Sequence, residues 1–200
     1  MVPAIVLAAG ASSRMGRPKA LLPVAADGTT FLEHLVRTLR SAGVDDVIVV
    51  VGHDADLVRG LIESAGLAVR TAVNKDPSRG QLSSLIAALD IADRPGVQAV
   101  LVAPVDQPLV AVETVRRLLD TYRRARAPIV RPARGGRHGH PVVFDRSLFD
   151  ELHRADPAAG AREVIQRHRP DVIDVAVDDE GAFVDIDTPE AYARVMRGRG

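Results

Sequence analysis

The chain has 200 residues, of which 46% are hydrophobic and 26% charged, a composition typical of a folded globular domain. The absence of cysteine excludes a disulfide scaffold, a thiolate metal site and a cysteine nucleophile. Because 26 basic residues balance 26 acidic ones, the formal charge of zero argues against a general nucleic-acid or membrane-surface binder. No apolar run reaches the length of about 18 residues that a membrane span needs, and no basic segment precedes the apolar start. We therefore expect a cytoplasmic protein.

Apolar, β-rich runs alternate with segments of helical period in the first part of the chain. Strands are predicted over residues 4–9, 47–51, 68–73 and 99–103, and helices over about 31–42, 55–65, 81–92 and 112–124. The unbroken β-branched run at 47–51 is typical of a strand that is covered on both faces. This order predicts a three-layer α/β sandwich with a mostly parallel, Rossmann-like central sheet.

Several helix ends carry their own signals. Thr30 and Glu33 have the spacing of a capping box, which starts the first predicted helix. Gly43 and Gly66 follow predicted helices and can adopt the left-handed conformation that ends them.

The pattern is less regular from residue 131 onward. Strands are predicted at 141–144, 172–177 and 182–186, two helical segments on either side of 157–160, a last helix at about 189–196, and a frayed tail from residue 197.

A loop rich in small and basic residues follows the first predicted strand, with the sequence Gly10-Ala11-Ser12-Ser13-Arg14-Met15-Gly16-Arg17-Pro18-Lys19. Glycine at the carboxyl end of a strand lets the backbone approach a ligand, and successive N–H groups with Ser hydroxyls can surround an anion. The loop holds three cations and no acid, so it predicts a triphosphate site; the alternative is a solvated basic turn. Its spacing matches neither the P-loop nor the dinucleotide fingerprint.

Two acidic segments also stand near strand or helix ends. Asp106 follows the strand at 99–103, in the crevice where open α/β sheets bind ligands, and Asp187 precedes the last predicted helix. Mg²⁺ prefers carboxylate and phosphate oxygens as ligands. The alternatives are that Asp106 is a turn residue and that Asp187 caps the helix. Asp185 would share a face with Asp187 in an extended segment and is a weaker candidate.

A polar loop joins the strand at 68–73 to the following helix. Gly80 permits a tight turn, while Gln81, Ser83 and Ser84 bring hydrogen-bonding groups to a helix N-terminus. Ordinary helix capping is the alternative. Aromatic residues make up only 3% of the chain and are absent from these loops, so recognition of a base would depend on backbone, amide and hydroxyl hydrogen bonds.

These segments resemble the signature of the MobA-like nucleotidyltransferases. The resemblance is carried by Leu7-Ala8-Ala9-Gly10, Ser13-Arg14-Met15-Gly16, Pro18-Lys19 and the Asp-Thr-Pro-Glu segment that begins at Asp187. It implies that Arg14, Lys19 and Asp106 are catalytic and that Asp106 and Asp187 hold Mg²⁺. The nucleotide-binding residues that it implies are Leu7, Ala8, Ala9, Gly10, Ser12, Ser13, Arg14, Lys19, Gly80, Gln81, Ser83 and Ser84.

Two further segments resemble the cytidylyl branch of this family. Residues 80–85 have a Gly-x-x-x-Ser-Leu form, where the guanylyl branch has a proline–glycine form, and residues 139–142 have a Gly-His-Pro form. The resemblance thus implies transfer of CMP from CTP to a phosphorylated acceptor such as molybdopterin, with release of pyrophosphate. We expect Arg137 and His140, in an arginine-rich stretch without acids, to receive that anionic acceptor; for His140 the alternative is a structural turn residue.

The implied organisation is a single domain over residues 1–200, with a nucleotide-binding part at about 1–110 and an acceptor-binding part at about 111–200. A molybdoenzyme or its chaperone is a further expected partner. The alternatives that stay open are GTP or another phosphate acceptor, an NAD(P)-dependent oxidoreductase on a similar fold, and a binding protein without catalysis.

Overall fold

The computed structural model, which describes residues 1–197, contains one sheet of eight strands and seven α-helices. The strands are β1 (Ala4–Leu7), β2 (Val47–Val51), β3 (Arg70–Val73), β4 (Ala99–Pro104), β5 (Ile129–Arg134), β6 (Arg137–His138), β7 (Val142–Asp145) and β8 (Val172–Ala176). The helices are α1 (Phe31–Ser41), α2 (Ala55–Ser64), α3 (Gln81–Ala92), α4 (Val112–Ala125), α5 (Phe149–Arg154), α6 (Ala161–Arg167) and α7 (Pro189–Arg197). The frayed tail is predicted to begin at residue 197, and its residues 198–200 lie outside the described residues.

The order of the strands in the sheet is β3-β2-β1-β4-β7-β5-β6, and β8 pairs with β5. The first four strands pair in parallel, as does β8 with β5. Strand β7 is antiparallel to both β4 and β5. The predicted α/β sandwich with a mostly parallel central sheet is confirmed, and its parallel half places the carboxyl ends of β1 and β4 side by side.

The sheet separates two hydrophobic cores. Helices α1, α2 and α4 pack on one face, and α3, α5 and α6 pack on the other. Strand β2 is buried throughout, with Val47, Val49 and Val51 in the first core and Ile48 and Val50 in the second. The prediction that this run is covered on both faces is confirmed. None of the helices within residues 1–197 combines the length and the apolar character that crossing a membrane requires.

The predicted helix signals are present in the structure. The Thr30 side chain accepts from the backbone N–H of Glu33, and the Glu33 carboxylate accepts from the backbone N–H of Thr30 at 2.8 Å. Gly43 and Gly66 have φ values of 89° and 61°, in the left-handed region. These local interactions need no tertiary contact, which is why the sequence pattern predicts them correctly.

Two features of the second half differ from the prediction. The strand predicted at 182–186 is wrong, because the backbone there bonds outside the sheet: the Ala182 carbonyl accepts from His140 N, and Ile186 N donates to the Asp106 carbonyl. The hairpin of β5 and β6 is not predicted, since its strands contain proline and arginine. Gly135 and Gly136, both at positive φ, form its turn.

Gly139 lies where two stretches of backbone touch. A Cβ added there would lie 2.0 Å from the Ala182 carbonyl oxygen, and the backbone of this region is held by hydrogen bonds from Gly139 N to Pro132 O and from His140 N to Ala182 O. We expect Gly139→Ala to lower the free energy of unfolding by about 3 kcal/mol, because backbone cannot move aside as a flexible side chain can.

Urea denaturation measures this change, and Gly60→Ala is the matched control. Gly60 lies in α2 with nothing within 4 Å of an added Cβ, so its alanine variant is expected to be as stable as the original chain or more stable by up to about 1 kcal/mol. Equal denaturation midpoints for the two variants would contradict the close approach at Gly139.

Candidate active site

The carboxyl ends of β1 and β4 open into a cavity of about 300 Å³. Its walls come from the loop after β1, the start of α3 and the residues after β4. The predicted site residues that line it are Leu7, Ala8, Ala9, Gly10, Ser12, Lys19, Gly80, Gln81, Ser84 and Asp106. The structure therefore brings together segments that are far apart in the sequence, at the edge of the sheet where α/β folds bind ligands.

Gly52 lies behind this cavity and is not among the predicted site residues. A Cβ added there would lie 2.7 Å from Pro77 Cγ and 2.8 Å from the Ala9 Cβ and carbonyl oxygen. Because Ala9 and Pro77 both line the cavity, the missing side chain at Gly52 allows the two loops to approach each other. A glycine directly after a parallel strand is the signal in the sequence that could have identified it.

One ammonium group lies between two carboxylates beside the cavity. Lys19 Nζ donates to Asp106 Oδ2 at 2.9 Å and also to Asp187 Oδ1. Arg14 Nη2 donates to Asp187 Oδ2 at 3.1 Å. These four side chains come from the loop after β1, the end of β4 and the segment before α7, so the fold joins the predicted cations to the predicted acids.

The surroundings shift the pKa values of these groups. Burial opposes the charge on Lys19, but the hydrogen bonds and charges of Asp187 and Asp106 outweigh burial and raise the pKa of Lys19. The hydrogen bond from Lys19 lowers the pKa of Asp187. Burial raises the pKa of Asp106 despite its contact with Lys19. The Lys19 ammonium is therefore firmly protonated at neutral pH.

Asp185 and Asp187, the two acids of the segment before α7, have different hydrogen-bond partners. Ile186 N donates to the Asp106 carbonyl at 2.8 Å, which fixes this segment against the loop after β4. Gln107 Nε2 donates to Asp185 Oδ1 at 2.6 Å, whereas Asp187 shares the Lys19 ammonium with Asp106. Gln107 is buried and not among the predicted residues; its position next to Asp106 is the signal that the sequence offers.

The paired carboxylates fit a divalent cation. Asp106 and Asp187 converge on one positive group, and their hard oxygen atoms are ligands that Mg²⁺ and Mn²⁺ accept. In the part of the chain that the structure describes, no cluster of three or more His, Cys, Asp or Glu side chains could hold a metal ion. Phosphate oxygens and water would have to complete the coordination of a metal at this pair.

Three of the predicted site serines, two in the loop after β1 and one in α3, have different contacts. Ser12 lines the cavity, and its Oγ accepts from Lys19 N at 3.1 Å, which closes the loop on itself. Ser13 is exposed and does not line the cavity. Ser83 also lies outside it: its Oγ donates to the Gly80 carbonyl at 2.7 Å and accepts from Asn74 Nδ2 at 2.8 Å. Asn74, a buried residue that is not predicted, thus fixes the start of α3.

Arg137 and His140 do not line the same cavity. Arg137, exposed on β6, donates to Glu180 Oε1 at 3.0 Å and to the Phe183 carbonyl at 3.1 Å. Its guanidinium lies 5.2 Å from the centre of the Phe183 ring. His140 lines a second, smaller cavity, and Arg137 lines neither of the two. Their predicted role in acceptor binding stays a prediction.

Two named relatives are similar to most of this chain. Nicotine blue oxidoreductase of Paenarthrobacter nicotinovorans is 35% identical over 204 residues, which cover 98% of this chain and 96% of that protein. The probable molybdenum cofactor guanylyltransferase of Mycobacterium bovis (strain BCG / Pasteur 1173P2) is 32% identical over 159 residues, which cover 80% of this chain and 74% of that protein.

Among solved structures, Rv0371c from Mycobacterium tuberculosis H37Rv superposes with a TM-score of 0.84 at 31% identity, covering 98% of both chains. The same protein has been solved as a complex with manganese. The model of the MobA-like NTP transferase domain matches residues 4–172, in agreement with the resemblance carried by the loop motifs. The chain therefore belongs to the MobA-like NTP transferase family and is a nucleotidyltransferase by family.

Proposed function

We propose that the protein transfers CMP from CTP to a phosphorylated small-molecule acceptor of the molybdopterin type and releases pyrophosphate. The observation that carries this proposal is the meeting of Lys19 and Arg14 with Asp106 and Asp187 beside a cavity of about 300 Å³. Two cations suit a polyphosphate, two carboxylates suit its divalent cation, and the cavity has room for a nucleoside.

In the proposed reaction, an oxygen of the acceptor phosphate attacks the α-phosphorus of CTP. A new phosphorus–oxygen bond forms, the bond to the β-phosphate breaks, and pyrophosphate leaves in line. The attacking phosphate is already anionic at neutral pH, so the site needs no general base and works by positioning and charge neutralisation.

The two cations and the two carboxylates would have different roles in this reaction. Lys19 and Arg14 would leave the aspartates and bind the departing pyrophosphate, whose charge they stabilise. Asp106 and Asp187 would hold Mg²⁺ or Mn²⁺. Such an ion, when bound, offsets the charge that develops on the phosphates. The backbone of residues 7–10 would lie along the nucleotide.

The same geometry supports the division of the chain into two parts. All residues that line the large cavity lie between Leu7 and Asp106, within the proposed nucleotide-binding part. Gly80, Gln81 and Ser84 would contact the base and ribose by hydrogen bonds. The sequence form of residues 80–85 favours CTP. GTP is the alternative nucleotide, because one relative is named as a guanylyltransferase.

A thermal-shift panel of CTP, GTP and ATP, each with and without Mg²⁺, tests this proposal. A ligand at about 100 times its Kd that binds only the folded protein adds about 2.7 kcal/mol of stability. For a chain of this length that corresponds to a rise in Tm of about 5–10 °C. We expect this rise for CTP with Mg²⁺. A larger rise with GTP would overturn the choice of base, and no rise with any triphosphate would overturn the function.

A second candidate function is an oxidoreductase. The observation that favours it is the match to nicotine blue oxidoreductase, which covers 98% of this chain, against 80% for the guanylyltransferase. The loop after β1 lacks the dinucleotide fingerprint, which argues against NAD(P)H as the ligand. Adding NADH and NADPH to the same panel separates the two functions: a rise in Tm with either, independent of metal, would favour the oxidoreductase.

A further inference from the structure

The segment before α7 runs in the opposite direction beside the residues that follow β4. Ile186 N donates to the Asp106 carbonyl at 2.8 Å. Further along, the Leu109 carbonyl oxygen lies 2.1 Å from the position of a Cβ added at Gly181, so the two backbones touch there. The segment that carries Asp187 is therefore placed by the residues after β4.

Gln107 connects these two segments through its side chain. Its Nε2 donates to Asp185 Oδ1 at 2.6 Å, next to the backbone hydrogen bond from Ile186. Gln107 is 6% exposed, whereas Asp185 is an exposed residue. Because a buried side chain is held by its packing, the amide fixes the carboxylate and not the reverse.

One atom of the Gln107 amide lacks a partner. Its Oε1 is buried and has no hydrogen-bond partner within residues 1–197. An unpaired buried acceptor lowers stability, and an apolar side chain of similar size would avoid that loss. Stability alone therefore does not account for a glutamine here, whereas the hydrogen bond to Asp185 gives the side chain a positioning role.

The contact of Gln107 with Asp185 is independent of the two cations at the site. In the structure, Lys19 and Arg14 both contact Asp187. In the proposed reaction both cations turn to the polyphosphate, so these contacts are lost when a metal ion binds. The hydrogen bond from Gln107 involves neither cation and can hold the segment while they move.

We propose that Gln107 is a positioning residue, which holds Asp185 by its hydrogen bond and so fixes the segment before α7. Fixed in this way, Asp187 faces Asp106, and the two carboxylates can share one divalent cation. The inference rests on the proposed function, in which these two carboxylates hold the metal. Asp185 is then a hydrogen-bond acceptor and not a metal ligand, in agreement with the absence of a three-residue metal cluster within residues 1–197.

Titration of Mn²⁺, followed by electron paramagnetic resonance, tests this role. It uses the full chain with Lys19→Met, which lacks the ammonium that contacts both carboxylates, so no nucleotide has to be present. Adding Gln107→Met to this chain is expected to raise the Kd of Mn²⁺ about tenfold. The change removes the hydrogen-bond donor and keeps the net charge, so the Coulomb attraction for the metal ion is the same. Because methionine also removes the unpaired Oε1, the Tm should fall by less than about 3 °C.

Two substitutions of Asp185 in the same Lys19→Met chain show whether Gln107 acts through it. Asp185→Asn removes the charge but keeps the accepting oxygen, and should leave the Kd of Mn²⁺ within about threefold. Asp185→Ala removes both and should raise the Kd about tenfold. Once Asp185→Ala is present, Gln107→Met should have no further effect, since both changes break the same hydrogen bond. If Gln107→Met does not fold, the difference between the two substitutions of the exposed Asp185 decides.

Gln98→Met is the matched control. Gln98 is exposed and precedes β4, whereas Gln107 follows it, so the same change is made at the other end of one strand. The control should leave the Kd of Mn²⁺ unchanged. An equal Kd for Gln107→Met and for this control would overturn the inference. A further tenfold rise on adding Gln107→Met to Asp185→Ala would overturn it as well.

The outcomes separate this inference from the proposed function. If the Lys19→Met chain binds Mn²⁺ and Gln107→Met does not weaken that binding, the positioning role is wrong and the proposed transfer is unaffected. If the Lys19→Met chain binds no Mn²⁺, the carboxylates do not hold a metal ion, and the metal role and this inference are both wrong. If Gln107→Met weakens Mn²⁺ binding while no triphosphate raises the Tm of the original chain, the positioning role stands and the nucleotidyl transfer is wrong.

Discussion

Replacing Asp106 with asparagine is expected to lower the kcat of nucleotidyl transfer by about a thousandfold, equivalent to about 4 kcal/mol of transition-state stabilisation. Asparagine keeps the shape of the side chain but replaces a charged oxygen ligand by a neutral one, which weakens the hold on a divalent cation. The protein should stay folded, because burial already disfavours the charge on Asp106 and Lys19 retains Asp187. Release of pyrophosphate from CTP, in the presence of acceptor and Mg²⁺, measures the effect.

The matched control is Asp56→Asn, at a fully exposed aspartate in α2 that pairs with Arg59 at 3.7 Å. It removes the same charge at a residue that does not line the cavity and should leave kcat within about twofold, as surface substitutions usually do. If the kcat of Asp106→Asn is comparable to that of this control, the Asp106 carboxylate is not required for nucleotidyl transfer.

Lys19→Met is expected to tighten binding of Mn²⁺ in the absence of nucleotide by about tenfold or more. The Lys19 ammonium contacts both carboxylates and therefore competes with a metal ion for them. A methionine side chain is similar to lysine in length and flexibility but has no charge. It therefore does not compete with a divalent cation for the two carboxylates. The kcat should fall about a hundredfold at the same time, because a cation is lost from the departing pyrophosphate.

Titration of Mn²⁺ by electron paramagnetic resonance measures the free ion without any catalytic turnover. Lys75→Met serves as control, since Lys75 is exposed and does not line the large cavity. Addition of Mn²⁺ should also raise the Tm of Lys19→Met more than that of the original chain, because the ion relieves repulsion between Asp106 and Asp187. The same Mn²⁺ affinity in Lys19→Met and in the original chain would show that Lys19 does not compete for the carboxylates.

The sequence predicts well those features that depend on residues close together along the chain. The capping box at Thr30, the buried run of β2 and the cationic loop after β1 all follow from short patterns of residue type. The general rule that ligands lie at the carboxyl ends of parallel strands then places Asp106 beside that loop. Hence the position of the large cavity in the fold can be predicted from the sequence.

What the sequence does not reveal depends on contacts between distant segments. Gly52 matters because Ala9 and Pro77 approach it, and Gln107 because Asp185 lies within reach of its amide. The strand predicted at 182–186 is irregular because Asp106 and His140 take its backbone hydrogen bonds. No local pattern records such partners, since residues 182–186 form a short, mostly apolar run, as in a buried strand.

The hydrogen bond from Ile186 to the Asp106 carbonyl has a practical consequence for the boundaries of an expressed fragment. Residues 4–172, which the family model matches, include the whole lining of the large cavity but end before this bond and before Asp187. A protein cut at that boundary would lose β8 beyond Val172, which pairs with β5, together with the segment that carries Asp187. An expressed fragment should therefore extend through α7, so that the sheet and both carboxylates beside the cavity are retained.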